Sequence, residues 1–307
     1  VADVRAERLD RVPSRCEAAE LLAGVELLGA TNACLPPIDA ALLDAAPGLR
    51  GIVLYATGYD HIDLGLLAER GVGLSVLPDY ATVAVAEHSI ALALALATRL
   101  HLAHDRCRGI AGPQTSLRGI ELAGRTAGVL GVGNVGRRVA RLAGALGMSV
   151  FGTDPDPLAD SRARLSGLTM VEQDELLAAA DVVFVCASRR YGAAPLLGVP
   201  ELAALRPDAL LVNPARAALV DTAAAVAAIR RGHLRGYAVD DQVDAAACQD
   251  VVSEGRLLRT GHIAWWRDEV LHRGAELWSE RLIAAAEGTP LDVVWWPAPS
   301  TDRVTVG

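Results

Sequence analysis

TAGVLGVGNVGRRVARL, residues 126–142, is the stretch whose reading decides the fold. Thr126 to Leu130 is a short apolar run, and Gly131-Val-Gly133-Asn-Val-Gly136 comes directly after it. Val139, Leu142 and Ala143 then recur at helical spacing. A second apolar run, Ser149 to Thr153, ends in Asp154, eighteen residues after Gly136. Strand, glycine turn, helix, strand and acid form the order that a dinucleotide-binding βαβ unit requires. Gly131 allows the tight turn, Gly133 lets the backbone approach a pyrophosphate, and Gly136 lets the helix pack close to the strand. Asn134 and Val135 open that helix, whose free N–H groups attract negative charge. Asp154 would accept hydrogen bonds from a ribose 2′-hydroxyl and repel a 2′-phosphate, which favours NAD over NADP. Asp156, Arg162 and Arg164 lie near it in sequence and temper that preference. A glycine turn alone is weak ground, because such turns are common; the acid at the end of the next strand makes the signal specific.

A chain of 307 residues suggests about two domains, and 52 % apolar residues are ample for their cores. The net charge of −8 argues against a nucleic-acid surface or an anionic membrane as partner. Every basic residue is arginine, which excludes Schiff-base or P-loop lysine chemistry. Cys16, Cys34, Cys107, Cys186 and Cys248 are scattered, with no CxxC and no Cys/His ligand spacing. A reduced, cytoplasmic protein without a metal site is therefore expected. The longest apolar run, Ile90 to Ala97, is far short of the ~20 residues a membrane span needs. No signal-peptide pattern precedes Val1, and a start upstream of this non-Met residue is expected.

Working outward, residues 1–30 read as a strand over 1–5, a helix around 16–22 and a strand at 25–28. Pro36-Pro37 opens a helix with Ile38, Leu42 and Leu43 on one face. A buried strand at 49–55, a helix at 63–69 ended by Gly71, and a strand at 73–77 complete a βα repeat, so a parallel sheet is expected. Thr82 is placed to cap a long helix running to about His104. Its surface is apolar almost all round, which predicts burial against a partner domain or another subunit. A domain crossing is expected near 97–105. Beyond the glycine turn, strands are predicted at 182–186, 209–213, 236–239 and 257–260, with helices at 173–180, 199–205 and 221–231.

The residues at the carboxyl ends of those strands carry the chemistry. Cys186-Ala187-Ser188 ends one, Asn213-Pro214-Ala215-Arg216 the next, then Asp240, then His262. In an open parallel sheet the carboxyl ends of all strands face one crevice. Arg216, Asp240 and His262 should thus converge near the nicotinamide end of a bound dinucleotide. A hydride carrier needs a carbonyl or alcohol held against it, a proton donor for the oxygen, and a cation to fix the substrate. His262 can move that proton near neutral pH, and Arg216 can hold a carboxylate bidentately. Singly, each is an ordinary strand-end histidine or surface arginine; beside a dinucleotide turn the pair is more telling. His61 and His88 are weaker candidates, His88 as a structural residue of the long apolar helix.

With these residues in place, the chain resembles the D-isomer-specific 2-hydroxyacid dehydrogenases. ATGYDHID (56–63), TVAVAEH (82–88), LGVGNVGRRVA (130–140), LLVNPARAALVD (210–221), GYAVD (236–240) and HIAWW (262–266) occur in the family's order, from about Pro36 to Val294. The resemblance implies a doubly wound, Rossmann-type parallel sheet inserted into a smaller flavodoxin-like α/β substrate domain. It implies a substrate domain of residues 1–100 and 272–307 around an NAD-binding domain of 101–271, a cleft that closes on substrate, and a homodimer. Arg216 matches the substrate arginine and His262 the proton-transferring histidine. Thr57 and Gly58 match the loop whose backbone binds a substrate carboxylate, and Tyr80 and Trp265 line the same pocket. Thr82 and Asp240 match positions near the nicotinamide amide, and Cys186, Ala187, Pro214, Ala215 and Ala264 flank the cofactor. Trp295 and Trp296 are expected to pack on the first domain.

The family's usual glutamate partner for the histidine is missing, because Ala245 falls at its position. Asp244 is the expected substitute through a slipped loop, with Asp241 and Gln242 close by. Should no carboxylate reach the histidine, reduction would favour more acidic pH. Ser188, Gly261 and Ala217-Ala218 also depart from the family pattern, so a divergent member is expected. The function implied is NAD-linked interconversion of a small anionic 2-oxoacid and its D-2-hydroxyacid. The alternative is a catalytically weak NAD(H)-dependent binding or regulatory protein on the same scaffold.

Overall fold

The computed structural model of the chain describes residues 3–164, 166–244 and 246–297. Eleven strands are described in chain order: β1 Leu27–Ala30, β2 Gly51–Leu54, β3 Gly73–Ser75, β4 Thr126–Leu130, β5 Ser149–Thr153, β6 Thr169–Met170, β7 Val182–Val185, β8 Ala209–Asn213, β9 Leu234–Val239, β10 Leu257–Arg259 and β11 Val293–Trp295. The chain divides into two compact units, Ala81–Arg267 and the flanking segments Val1–Tyr80 with Asp268–Gly307.

The larger unit is built on a seven-stranded sheet in the order β10-β9-β8-β7-β4-β5-β6, parallel throughout. Its first strand, β4, lies between β5 and β7, so the chain winds outward first on one side and then on the other. That reversal opens a crevice beyond the carboxyl ends of β4 and β7. β7 and β8 are buried along their whole length, the pattern of a parallel sheet covered on both faces. One cover contributes Leu176, Leu177, Leu202, Val226 and Ile229 to a core. The other contributes Leu92, Leu96, Val139 and Ala143 to a second core.

Helix Thr82–Thr98 belongs to that second core, through Ala86, Leu92, Ala93, Leu96 and Ala97. The units consequently divide at Tyr80/Ala81 and Arg267/Asp268, whereas the sequence placed the boundaries at 100/101 and 271/272. That face of the helix is thus buried within this unit itself, while Val83 and Ala91 stay exposed. It ends at Thr98, short of His104: Arg99 takes a left-handed conformation (φ 61°), and a separate helix, Leu100–Cys107, leaves at 65°. Thr82 is the first helical residue rather than the cap, which is Ala81, with no side-chain cap bond. Among the described residues no single helix is long and apolar enough to cross a membrane.

In the smaller unit β1, β2 and β3 run parallel, as expected, and β11 joins β3 antiparallel at the edge. Helix Asp268–Ala286 packs on this sheet, and the Trp278 indole N–H donates to the Val53 carbonyl at 3.0 Å. Trp278 and Leu282 fit over Gly29, where a Cβ would come within 2.9 Å of both. Trp296 covers Gly51 and Gly73 in the same way, so Trp295 in β11 and Trp296 both pack in this unit. Two expectations fail locally. Asp3–Arg5 carries no strand and is exposed, for it has no apolar face to bury; Val1 and Ala2 lie outside the described residues. The helix expected from Pro36 begins at Ala40, because the Asp39 side chain accepts the Leu42 N–H at 3.0 Å and sets the start.

Candidate active site

β4 runs straight into the glycine turn, and the three glycines differ in what surrounds them. Gly131 has φ 92°, and a Cβ there would come within 2.7 Å of the Ala187 backbone beyond β7. A Cβ on Gly136 would collide with the Gly131 carbonyl oxygen. Gly133 caps helix Asn134–Ala145 in an extended conformation, and no protein atom would lie within 4 Å of a Cβ there. Two glycines are therefore closed on the protein, and the third faces open space at a helix N-terminus. Asp154 comes after β5 and bends back to this turn: Oδ2 accepts the Val132 N–H at 2.7 Å and Oδ1 the Asp156 N–H at 2.9 Å. Each oxygen retains acceptor capacity for a further donor. The side chains of Arg162 and Arg164 lie outside the described residues. Cys186 and Ala187 flank the turn, and burial pushes the Cys186 thiol up to about 12, which makes it a wall and not a nucleophile.

β8, β9 and β10 are neighbours, and the loops leaving their carboxyl ends carry Arg216, Asp240 with Asp241, and His262. Buried Asn213 shapes the first loop. Its Nδ2 donates to the Arg216 carbonyl at 2.7 Å and its Oδ1 accepts the Ala215 N–H at 3.1 Å, with Pro214 buried between them. The Arg216 guanidinium donates to the Ala215 carbonyl at 3.0 Å. Asp240 is buried and turned inward: Oδ1 accepts the Thr260 hydroxyl at 2.7 Å and the Ile263 N–H at 2.8 Å, and Oδ2 accepts the Ala264 N–H at 2.8 Å. It thus holds the loop that presents His262, whose ring is about half exposed. Both Gly261 and His262 adopt left-handed backbone (φ 70° and 69°). For a histidine this is uncommon and concentrates at functional sites.

Asp241, and not Asp244, meets the histidine. Asp241 Oδ1 stands 3.9 Å from His262 Nδ1, an ion-pair distance, while Oδ2 accepts the Ala217 N–H at 2.8 Å. Burial works against the ionised form of Asp241; the His262 ring and the N–H groups of Ala217 and Gln242 outweigh it and bring the carboxyl down to about 2. Asp244 instead accepts the Ala246 N–H within its own exposed turn. It lines a cavity of about 530 Å³ with Ala217, Thr222, Arg230 and Cys248, and neither Arg216 nor His262 reaches that cavity. Ala245 lies outside the described residues.

Most of the larger unit matches a known family. Residues 90–264 match the family model "D-isomer specific 2-hydroxyacid dehydrogenase, NAD binding domain". A glyoxylate reductase of Thermofilum pendens is 30 % identical over 257 residues, covering 82 % of this chain and 76 % of that protein. This chain is a member of the D-isomer-specific 2-hydroxyacid dehydrogenase family. A D-3-phosphoglycerate dehydrogenase of Archaeoglobus fulgidus is 32 % identical over 256 residues, 83 % of this chain and 48 % of the other. The chain thus spans about half the length of that relative. The solved glyoxylate reductase of Paecilomyes thermophila shares 26 % identity with a TM-score of 0.83, over 92 % of this chain and 89 % of that one.

As a family member the chain carries an NAD-binding domain. The turn fits that cofactor: Gly133 leaves open the space a phosphate needs, and Asp154 offers acceptors for a ribose. The remaining site residues expected from the sequence are distributed over both units. In the smaller one, the Thr57 hydroxyl donates to the Leu77 carbonyl at 2.6 Å, and the Gly58 carbonyl accepts from Asn32 Nδ2 at 3.2 Å. Buried Tyr80 packs edge-on to Tyr55 (centroids 5.4 Å), and its carbonyl accepts the Arg273 Nε–H at 2.9 Å. In the larger unit, Trp265 packs edge-on to Trp266 at 5.0 Å, and Trp266 is mostly exposed. Sequence reasoning missed half-buried Thr260 and Arg267, which join buried His88 and Asp240 in one network. Their only signal was position, immediately before and shortly after the Gly261-His262 turn.

Proposed function

We propose that the chain catalyses NAD-linked interconversion of a small 2-oxoacid and its D-2-hydroxyacid. The observation that carries this is the placement of Arg216 and His262 on loops from the carboxyl ends of β8 and β10, flanking Asp241 and in the unit that holds the glycine turn. Bound NAD(H) would supply or accept the hydride. Arg216 pairs with the substrate carboxylate and draws electron density from the carbonyl oxygen. His262 gives a proton to that oxygen during reduction and takes it back during oxidation. By the family resemblance, Thr57, Gly58, Tyr80 and Trp265 are the further substrate-binding residues. Thr82, Pro214, Ala215 and Ala264 flank the nicotinamide end, and Asp240 shapes its surroundings from below. A cytoplasmic homodimer is part of the same reading, with exposed Leu100 and Ile110 among the apolar residues it would cover.

The relatives named glyoxylate reductase and D-3-phosphoglycerate dehydrogenase suggest the panel to test. NADH oxidation with glyoxylate and pyruvate, and NAD reduction with D-3-phosphoglycerate, should show turnover with at least one substrate. Arg216→Ala and His262→Ala should each abolish it while retaining NADH binding. NADH binding without turnover on any small 2-oxoacid would overturn this reading in favour of a binding or regulatory protein.

A further inference from the structure

We propose that Asp241 is a positioning residue that couples the two working loops, holding the His262 ring through Oδ1 and the Arg216 loop through Oδ2. This role rests on the functions proposed for Arg216 and His262.

The carboxylate stands at the end of β9, between β8 and β10, and reaches both ways. Oδ2 accepts the Ala217 N–H at 2.8 Å, one residue past Arg216, and Oδ1 lies 3.9 Å from His262 Nδ1. Its own position is fixed by the Gln242 N–H, which donates to Oδ1 at 2.8 Å. The side chain is only 22 % exposed, against 43 % for the ring of His262. The carboxylate is therefore partly shielded, and the ring's other edge remains open. Nδ1 is the ring nitrogen that stands near the carboxylate, which favours the tautomer protonated there and leaves Nε2 for a substrate.

Backbone geometry supports the same assignment. The left-handed pair Gly261-His262 turns the ring back toward β9. Proline cannot adopt a positive φ, so the glycine at 261 is what permits this path. A Cβ on Gly261 would also press on the Gln242 side chain at 3.1 Å. Glycine at 261 and aspartate at 241 thus act together.

Other charged and titratable groups stand on the strands and loops on either side of the pair. Asp240 precedes Asp241 but is spent on Thr260, Ile263 and Ala264. The Tyr237 phenol on β9 is neutral, pushed up to about 12, mainly by burial. Arg216 lies on the β8 loop, and Arg259 on β10 donates to the Val243 carbonyl.

The test compares wild type with Asp241→Asn on the full chain. Two readouts need no turnover. The long-range 1H–15N spectrum of wild type should show the proton of neutral His262 on Nδ1, and Asp241→Asn should shift the balance toward Nε2. NADH affinity should stay within about threefold of wild type, since Asp241 lies away from the glycine turn. Where a 2-oxoacid is turned over, kcat/KM should fall about tenfold or more, with a rise in KM as the Arg216 loop loosens. A wild-type spectrum dominated by the Nε2–H tautomer overturns the proposal, even if Asp241→Asn does not fold. So does Asp241→Asn with an unmoved tautomer balance and KM, or an Asp244→Asn variant that shows these changes in its place. Absence of turnover in wild type would count against the functional reading alone, while the spectrum would still decide the role of Asp241.

Discussion

His88 Nε2 lies 3.1 Å from the Thr260 hydroxyl oxygen, in a part-buried network whose neighbouring groups fix its protonation. Arg267 Nη2 lies 3.3 Å from His88 Nδ1, and an arginine can only donate. Nδ1 is therefore the acceptor, and Nε2 carries the proton toward Thr260. The Thr260 hydroxyl in turn donates to Asp240 at 2.7 Å. Burial, with Arg267 beside it, lowers the pKa of His88 despite the opposing pull of Asp240.

A histidine held neutral in the fold makes stability depend on pH in one direction. Below about pH 6.5 the unfolded chain takes up the proton more readily, so stability is full above that value and lost as pH falls through it. Urea unfolding at pH 7.5 and 5.5 should show this loss in wild type. In His88→Gln, which keeps a donor toward Thr260, the difference between the two pH values should shrink. An equal loss in both proteins would remove His88 as its source.

Asp240 is the anchor of the same network. Its two oxygens accept one hydroxyl and two backbone N–H groups, one N–H on each oxygen, so an amide NH2 in place of either oxygen faces a backbone donor. Asp240→Asn keeps the shape but sets a donor against donors. Bonds to a charged acceptor contribute about 1.5–3 kcal/mol each, so a loss of about 3 kcal/mol in unfolding free energy is expected. A change below about 1 kcal/mol in denaturant titration would mean that the loop finds another arrangement.

Features were legible in the sequence to the extent that their causes are local. The glycine turn was legible because Gly131 and Gly136 each answer a steric demand within the same βαβ unit. Arg216 and His262 were legible because strand ends in a parallel sheet share one edge. The partner of His262 was not, since choosing between Asp241 and Asp244 depends on the path of the loop after β9 and on the left-handed turn at 261–262. Nor was the unit boundary: the apolar surface of helix 82–98 announces burial but does not say against what.

The glycine turn separates a packing role from a ligand role in one experiment. Gly136→Ala drives a methyl into the Gly131 carbonyl, and backbone cannot yield cheaply. It should destabilise the unit by about 3 kcal/mol or more. Gly133→Ala meets no protein atom and occupies extended backbone, so its melting temperature should stay within about 3 °C of wild type. NADH affinity of Gly133→Ala should nonetheless fall about tenfold or more, because the methyl stands where a pyrophosphate approaches. Unchanged NADH affinity in a folded Gly133→Ala protein would place the cofactor elsewhere.

Asp241 should leave its mark on acid stability whatever the substrate proves to be. Its carboxyl falls from 3.8 to about 2 in the fold, where burial resists ionisation but His262 and two backbone N–H groups favour it. A depressed carboxyl stabilises the folded state above its unfolded value, and that contribution disappears as pH falls from about 4 to about 2. With the side chain 22 % exposed, the shift corresponds to about 2 kcal/mol at neutral pH. Asp241→Asn should accordingly be less stable than wild type by about this amount at pH 7, and the gap should close by about pH 2. Guanidinium unfolding at pH 7, 4 and 2.5 reads the difference directly. A gap that persists undiminished at pH 2.5 would show that the asparagine disturbs packing, and that the ionised carboxylate contributes nothing of its own.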